Sequence, residues 1–238
     1  MESRRVLRNF VDIAWRPELA YVVGLMASDG YLRADNKEIG FTSKDRELVD
    51  LFKQSVKIDK EPYRSGRGGT TQKDYWTFKF KSRNFHDFLV GIGITPRKSK
   101  TIQSVLLPDK YFSDFLRGLF DGDGTFWTWW DRRWVNSFGY NMGLSTASVE
   151  FALWLKSKAS KLYGVKGYVC RGAGVYTIRY TKGDSRLLFQ RLYYKKDLIC
   201  LQRKYIKIKT ALDFDEALKG KRKKKVRIIN SLIKQNSA

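Results

Sequence analysis

Two aspartates occupy equivalent places in this chain. Tyr21–Gly30 reads YVVGLMASDG and Phe115–Gly124 reads FLRGLFDGDG, at an offset of 94 residues. In each segment a glycine (Gly24, Gly118) is followed five residues later by the acid (Asp29, Asp123), and a second glycine closes the segment. If both segments are helices related by a pseudo-two-fold axis, Gly24 and Ser28, with Ala20 a turn earlier, face Gly118 and Gly122 as stripes of small residues. Such stripes let helix backbones touch, in water as well as in lipid. The helix ends then coincide and Asp29 and Asp123 come side by side. Two carboxylates at one spot repel unless a cation or a proton neutralises them. With no histidine or cysteine nearby, the hard all-oxygen set calls for Mg²⁺ or Mn²⁺. A single Asp-Gly is usually only a helix-ending turn; its repetition behind equivalent glycines argues for a site.

Composition removes competing chemistries. One histidine (His86) and two cysteines (Cys170, Cys200) cannot build a zinc finger, a zinc hydrolase or a disulfide scaffold. His86 sits in NFHDFL, which reads as an ordinary amphipathic helix. The formal charge is +23, and the last 20 residues supply eight positives and no acid, leaving +15 on the first 218. Seven Trp, 13 Tyr and 15 Phe rule out a disordered polycation. A basic body with a real core points to a polyanion, and nucleic acid is the commonest. The longest apolar run, Leu19 to Ala27, is too short to span a membrane, and Met1–Arg5 lacks the apolar core of a signal peptide. An intracellular, DNA-associated location is expected, with no membrane partner.

The elements that must position the aspartates repeat as well. Tyr75–Phe80 (YWTFKF) resembles Val175–Tyr180 (VYTIRY) at offset 100, and Arg97-Lys98 matches Arg203-Lys204 at offset 106. Three matches in one order mark a duplication. Each copy reads helix, two strands, helix, two strands, helix, so the expected class is α+β: two pseudo-symmetric αββαββα repeats with antiparallel β-saddles, packed through the two motif helices. The first helix runs from Pro17, suited to a first turn, to Ser28. A hairpin follows through Tyr31–Arg33, a turn near Asp35-Asn36, and Glu38–Thr42. Thr42-x-x-Asp45 starts a helix to Lys57 with Leu48, Leu51, Phe52 and Val56 as its apolar stripe. Ser65–Gly69 is a loop, Asp74–Lys81 a strand and Phe85–Ile92 a helix. The expected boundaries are 1–94 and 113–218 for the repeats, 95–112 for a linker holding Pro96 and Pro108, and 219–238 for a basic tail.

One strand of each repeat has two faces. Trp76, Phe78 and Phe80 alternate with Tyr75, Thr77, Lys79 and Lys81; Tyr176, Ile178 and Tyr180 alternate with Val175, Thr177, Arg179 and Thr181. Period two sends the aromatics to the core and the basic and hydroxyl residues to the other side. Arg33, Arg64, Arg67, Arg132, Arg133 and Arg171 lie nearby in sequence. Two such faces form a saddle for a duplex, whose major groove admits strands carrying Arg and Lys. Exposed sheets are often Lys- and Thr-rich without binding anything, so the pairing of two equivalent faces carries the inference.

The doubled segment resembles the motif of the LAGLIDADG homing endonucleases in their single-chain form. Val22–Gly30 and Leu116–Gly124 match the nine-residue signature. Ala27 departs from it at the sixth position, where Asp121 keeps the usual acid. The likeness in element order covers about residues 15–212. It implies that Asp29 and Asp123 bind catalytic divalent metal, helped by the carbonyls of Ser28 and Gly122. It also implies a basic residue beside the scissile phosphate in each copy: Lys204, and Lys98 with Lys100 as its rival. The implied activity is metal-dependent hydrolysis of one phosphodiester on each strand of a long asymmetric target, leaving 3′ overhangs, by a monomer. The family is associated with introns and inteins. An intron maturase binding RNA on the same scaffold and an inactive DNA-binding protein are the rivals; neither needs the acids. A single-strand binder is disfavoured because most aromatics alternate away from the basic face. Lys219–Lys225 holds six basic residues in seven, suiting a nuclear signal, a DNA-clamping arm or a solvated polycation, and Val226–Ile233 reads as a short helix.

Overall fold

The computed structural model describes residues 10–35, 37–66, 74–134 and 137–235, with side chains described through Lys219. The first repeat contains α1 (Pro17–Ser28), β1 (Gly30–Leu32), β2 (Glu38–Ser43), α2 (Arg46–Val56), β3 (Tyr63–Ser65), β4 (Tyr75–Lys81) and α3 (Arg83–Gly91). The second contains α4 (Phe112–Asp123), β5 (Gly124–Trp130), β6 (Phe138–Thr146), α5 (Val149–Tyr163), β7 (Tyr168–Arg171), β8 (Tyr176–Tyr180) and α6 (Lys182–Leu192). A long α7 (Gln202–Gln235) follows. The class is α+β, with two antiparallel four-stranded sheets ordered β1-β2-β4-β3 and β5-β6-β8-β7.

Local signals explain the element ends. Pro17 presets α1 at its first turn, and the Asp29 N–H closes it by donating to the Leu25 carbonyl at 3.1 Å. Lys57, in the left-handed region at φ 55°, ends α2, and Gly164 at φ +73° ends α5. The buried stripe of α2 is Leu48, Val49, Phe52 and Val56 with Ser55; Leu51 is only half-buried, so Val49 takes the expected place of Leu51. Residues 226–233 do not form a separate short helix: they continue α7.

α1 is apolar all round, and residues Leu19 to Ala27 are buried, as a helix at the centre of a molecule should be. It crosses α4 at van der Waals distance of the backbones. A Cβ on Gly24 would stand 2.1 Å from the Phe115 carbonyl oxygen, and one on Gly118 would stand 2.1 Å from the Tyr21 carbonyl oxygen. The small-residue stripes therefore meet as their spacing predicts. In the first repeat Phe41 and Phe78 of the sheet meet Phe52 of α2, and in the second Phe112 and Phe115 of α4 meet Phe151 and Trp154 of α5, while Tyr140, Met142, Leu144 and Ile178 of the sheet are buried in the core. The crossing of α1 and α4 fixes where their C-terminal ends lie, and with them the site.

Candidate active site and nucleic-acid interface

α1 and α4 end together. A Cβ on Gly122 would lie 2.1 Å from Ser28 Oγ and 3.3 Å from Asp29 Oδ2, so α4 reaches its end against the end of α1. Asp29 and Asp123 both line a cavity of about 380 Å³, together with Ser28, Lys98, Ser145 and Thr146. Helix C-termini leave carbonyls without intrahelical donors and carry the negative end of the helix dipole. Here lysines satisfy them. Lys98 Nζ donates to the carbonyls of Ser28 (3.1 Å) and Gly30 (2.7 Å). Lys204 Nζ donates to those of Phe120 (2.7 Å), Gly122 (3.1 Å) and Gly124 (2.7 Å). Ser28 and Gly122 are equivalent, as are Gly30 and Gly124, so the two ammonium groups are related by the pseudo-two-fold axis. Lys98 is buried whereas Lys100 is exposed, and only Lys98 reaches the end of α1.

Burial sets the electrostatics. It pushes both lysines down to about 8, against the pull of Asp123 and Asp29 on Lys98 and of Asp121, Asp123 and Asp29 on Lys204. Among the described residues no cluster of three or more His, Cys, Asp or Glu side chains is placed to hold a metal. The donor set still suits a hard cation. It offers two carboxylates and two main-chain carbonyls, and Mg²⁺ characteristically keeps several waters rather than an all-protein cage. The carbonyls of Ser28 and Gly122 each accept a hydrogen bond from a lysine, and a carbonyl oxygen has two lone pairs.

The scaffolding beneath Lys204 follows from neither the doubled motif nor the strand alternation. Asp121, fully buried, accepts from the Tyr21 hydroxyl and the Leu201 N–H, both at 2.8 Å. Burial raises its carboxyl to about 6 despite those bonds. Arg117, also fully buried, donates to the carbonyls of Ile199 (2.8 Å) and Leu192 (2.9 Å) and to Asp114 (2.7 Å), which also accepts from the Tyr194 hydroxyl (3.0 Å). These bonds fasten the segment leading to Lys204. The one mark of this scaffolding in the sequence is Asp121, the acid at the sixth position of the motif, four residues after Arg117 in a helix that also carries Asp114.

The saddle rows follow from strand register. In the first sheet Tyr31 pairs with Gly40, Gly40 with Lys79, Thr42 with Thr77, Tyr63 with Thr77 and Ser65 with Tyr75. These residues share one face with Lys81 and Arg33. Thr77 is buried there, hydrogen-bonded to Thr42 (2.9 Å) and Ser65 (2.6 Å). Lys44 stands 5.3 Å over the Tyr75 ring and Lys79 5.6 Å over the Tyr63 ring. Arg33 is exposed and pairs with Asp35 at 3.1 Å. In the second sheet Arg179 and Thr177 share a face with Gly143, Ser145, Tyr168 and Cys170. Arg132 and Arg133 are exposed in the turn after β5.

Register also corrects three expectations. Arg64 pairs with Trp76 and Arg171 with Tyr176, which puts both arginines in the rows opposite to Thr77 and Thr177. Arg64 stacks on Trp76 at 4.4 Å, with Arg46 at 4.3 Å from the same ring. The basic face is also more aromatic than alternation along β4 and β8 implies. Tyr31, Tyr63 and Tyr168 lie on it and are exposed, and in β5 Thr125, Trp127 and Trp129 take the outward parity while Phe126 is buried. Trp127 covers Gly143 and Trp129 covers Gly139; the Arg179 guanidinium stands 5.7 Å from the Trp127 ring. Arg67 lies outside the described residues, as do the side chains of the tail beyond Lys219. Among the described residues no helix is long and apolar enough to cross a membrane. His86 is buried in α3 with Nε2 3.0 Å from the Arg33 carbonyl.

Comparison with known proteins supports the fold. No protein-family model matches the chain. An uncharacterized protein of Methanocaldococcus jannaschii is 31% identical over 121 residues, which cover 49% of this chain and 42% of that protein. The homing endonuclease I-WcaI bound to its DNA recognition sequence superposes with a TM-score of 0.56 at 14% identity, over 79% of this chain and 89% of that one. I-DmoI in complex with DNA and Mn gives 0.51 at 12% identity, over 75% and 97%. Full-length WhiA from Thermotoga maritima gives 0.53 at 12% identity, over 93% and 71%. The chain thus has the fold of the LAGLIDADG homing endonucleases, a fold also present in WhiA.

Proposed function

We propose that this chain is a site-specific double-stranded DNA endonuclease that makes a staggered, divalent-metal-dependent break at a long asymmetric target, each motif acid serving a monomer with internal pseudo-symmetry. One observation carries the reading: Asp29 and Asp123, at the coincident ends of α1 and α4, line one cavity with a buried lysine. Asp29, Asp123 and the carbonyls of Ser28 and Gly122 would hold the metal, Mg²⁺ or Mn²⁺. Bound there, it supplies Lewis-acid chemistry and an activated water.

The chain's own residues do the rest. Lys98 and Lys204 place positive charge beside the carboxylates, where it stabilises the charge building on a scissile phosphate. Lys79, Lys81 and Arg33 on one saddle, and Arg179 with Arg132 and Arg133 on the other, meet the phosphates and base edges of a duplex. Because the saddles differ in sequence, the target halves differ too. Support comes from the likeness to endonucleases solved with DNA and, for the metal, with Mn. A host element such as an intron or intein suits the same reading. The test is selection of a cut site from a randomised duplex library in Mg²⁺. Recovery of one long site cut on both strands is the expected result; a selected site that is bound but cut on neither strand, with Mg²⁺ or Mn²⁺, overturns the reading in favour of a binding protein on this scaffold.

A further inference from the structure

Lys98 is presented by a short turn and Lys204 by the first turn of α7, and each of these turns is fastened by the opposite repeat. The Lys98 turn closes when the N–H groups of Thr101 and Ile102 donate to the Lys98 carbonyl at 2.9 and 2.8 Å. The Ile102 carbonyl in turn accepts from Ser148 Oγ at 2.5 Å, across the repeat boundary. The Lys204 turn closes when the N–H groups of Lys204 and Tyr205 donate to the Leu201 carbonyl at 3.0 and 3.2 Å. There the Arg203 guanidinium clasps the Asp45 carboxylate with two bonds, one of 2.9 Å, and the Gln202 N–H donates to Glu47 Oε1 at 3.0 Å.

Asp45 and Ser148 are equivalent residues. Thr42 pairs with Thr77 in the first sheet as Ser145 pairs with Thr177 in the second. Asp45 and Ser148 each lie three residues further on, at the start of the second helix of their repeat. Both types are good helix caps. Ser148 does cap α5, accepting from the Phe151 N–H at 3.2 Å while donating to Ile102. Asp45 makes no cap bond to α2; its carboxylate is turned instead to Arg203. A helix start that leaves its cap unused marks a carboxylate engaged elsewhere.

We infer that Asp45 and Ser148 are positioning residues, each latching from one repeat the turn that delivers the other repeat's lysine to the carboxylates. The inference rests on the reading of the chain as a two-strand nuclease. The latches differ in kind. One is a charge-assisted pair whose Arg203 and Asp45 side chains are 58% and 30% exposed, open to screening by salt. The other is a neutral hydroxyl, 1% exposed. The two strands should therefore respond differently to substitution and to salt.

The experiment uses the full chain and its selected duplex, labelled on both strands, in Mg²⁺. Asp45→Asn is expected to slow one strand by about tenfold or more, the scale set by misplacing a group near the chemistry, and to leave the other near the wild-type rate, so that nicked duplex accumulates. The loss should fall in kcat rather than KM, and binding in Ca²⁺ should be unchanged or tighter, because a negative charge has been removed. Reversing the pair, Asp45→Arg with Arg203→Asp, should restore the affected strand, and Ser148→Ala should slow the opposite one. As Ser148→Ala also removes the α5 cap, the Asp45 variants decide the inference by themselves. Equal slowing of both strands by Asp45→Asn, or of neither, overturns it. A wild-type chain that cuts neither strand overturns the nuclease reading, and the latch with it.

Discussion

The two repeats bring an ammonium group to equivalent carbonyls over very different foundations. Beneath Lys98 the support is apolar: Ile94, Ile102 and Val105 are buried around its turn. Beneath Lys204 it is a polar web of Arg117, Asp114, Tyr194, Asp121, Tyr21 and the Leu201 N–H. At the positions of Arg117 and Asp121, α1 carries Val23 and Ala27. The repeats agree where they must meet, at the glycine crossing, the aspartates and the lysines, and diverge in what lies underneath. Near-symmetry is demanded by the shared site, and each half is free to support it with its own chemistry.

The largest way to expose the difference is to strip the polar web. Arg117→Met should cost about 3–5 kcal/mol, because Asp114 and two carbonyls are left buried without their partner. Val23→Ala, the matching change in the apolar half, should cost less, as read from urea unfolding. The next test is pH. Asp121 has its folded pKa raised to about 6, above the ordinary carboxylate value near 4. Its contribution to stability is therefore full below about pH 4 and lost as pH rises through about 6, a change on the order of 2–3 kcal/mol. Asp121→Asn should flatten that part of the pH–stability curve, and a curve left unaltered would show that Asp121 does not hold its proton in the folded chain.

The shared device should behave alike in both halves. Gly24→Ala and Gly118→Ala each push a Cβ to 2.1 Å from a carbonyl oxygen of the partner helix, so both should lower the melting temperature, by similar amounts and at a cost of about 1–3 kcal/mol or more. If only one does, the helices do not cross symmetrically. The smallest effects lie on the saddles. Lys79→Ala should weaken all duplexes alike and reduce the salt slope by about one. Arg179→Ala should cost about 1–3 kcal/mol and relax preference at a single position, since its planar group stands beside Trp127, where it is pre-oriented for a bidentate contact. The two should map to opposite halves of the site; effects in the same half would contradict the saddle arrangement.

Much of this was legible in the residues. The motif segments gave α1, its end at Ser28, and the meeting of Gly24 with Gly118, because backbone contact tolerates nothing larger and so leaves a mark in sequence. Alternation gave the faces of β4 and β8. What was not legible depends on partners distant in the chain. Arg64 and Arg171 sit on short edge strands whose facing is set by register against β4 and β8, and sequence proximity to a loop does not reveal it. Trp127 and Trp129 take the outward parity of β5 because Phe126 fills the core. The choice between Lys98 and Lys100 required the turn that buries one and exposes the other. The buried web around Asp121 was visible only as a motif position, since its partners lie 80 and 100 residues away in sequence.

The central claim is that Asp29 and Asp123 form one metal-dependent site serving two strands. The most direct measurement compares Asp29→Asn and Asp123→Asn with the wild-type chain on the selected duplex, following binding in Ca²⁺ and cutting of each strand in Mg²⁺. The account predicts that both variants bind nearly as the wild type does and that neither makes a double-strand break. A variant of either aspartate that linearises the duplex at the wild-type rate would contradict it.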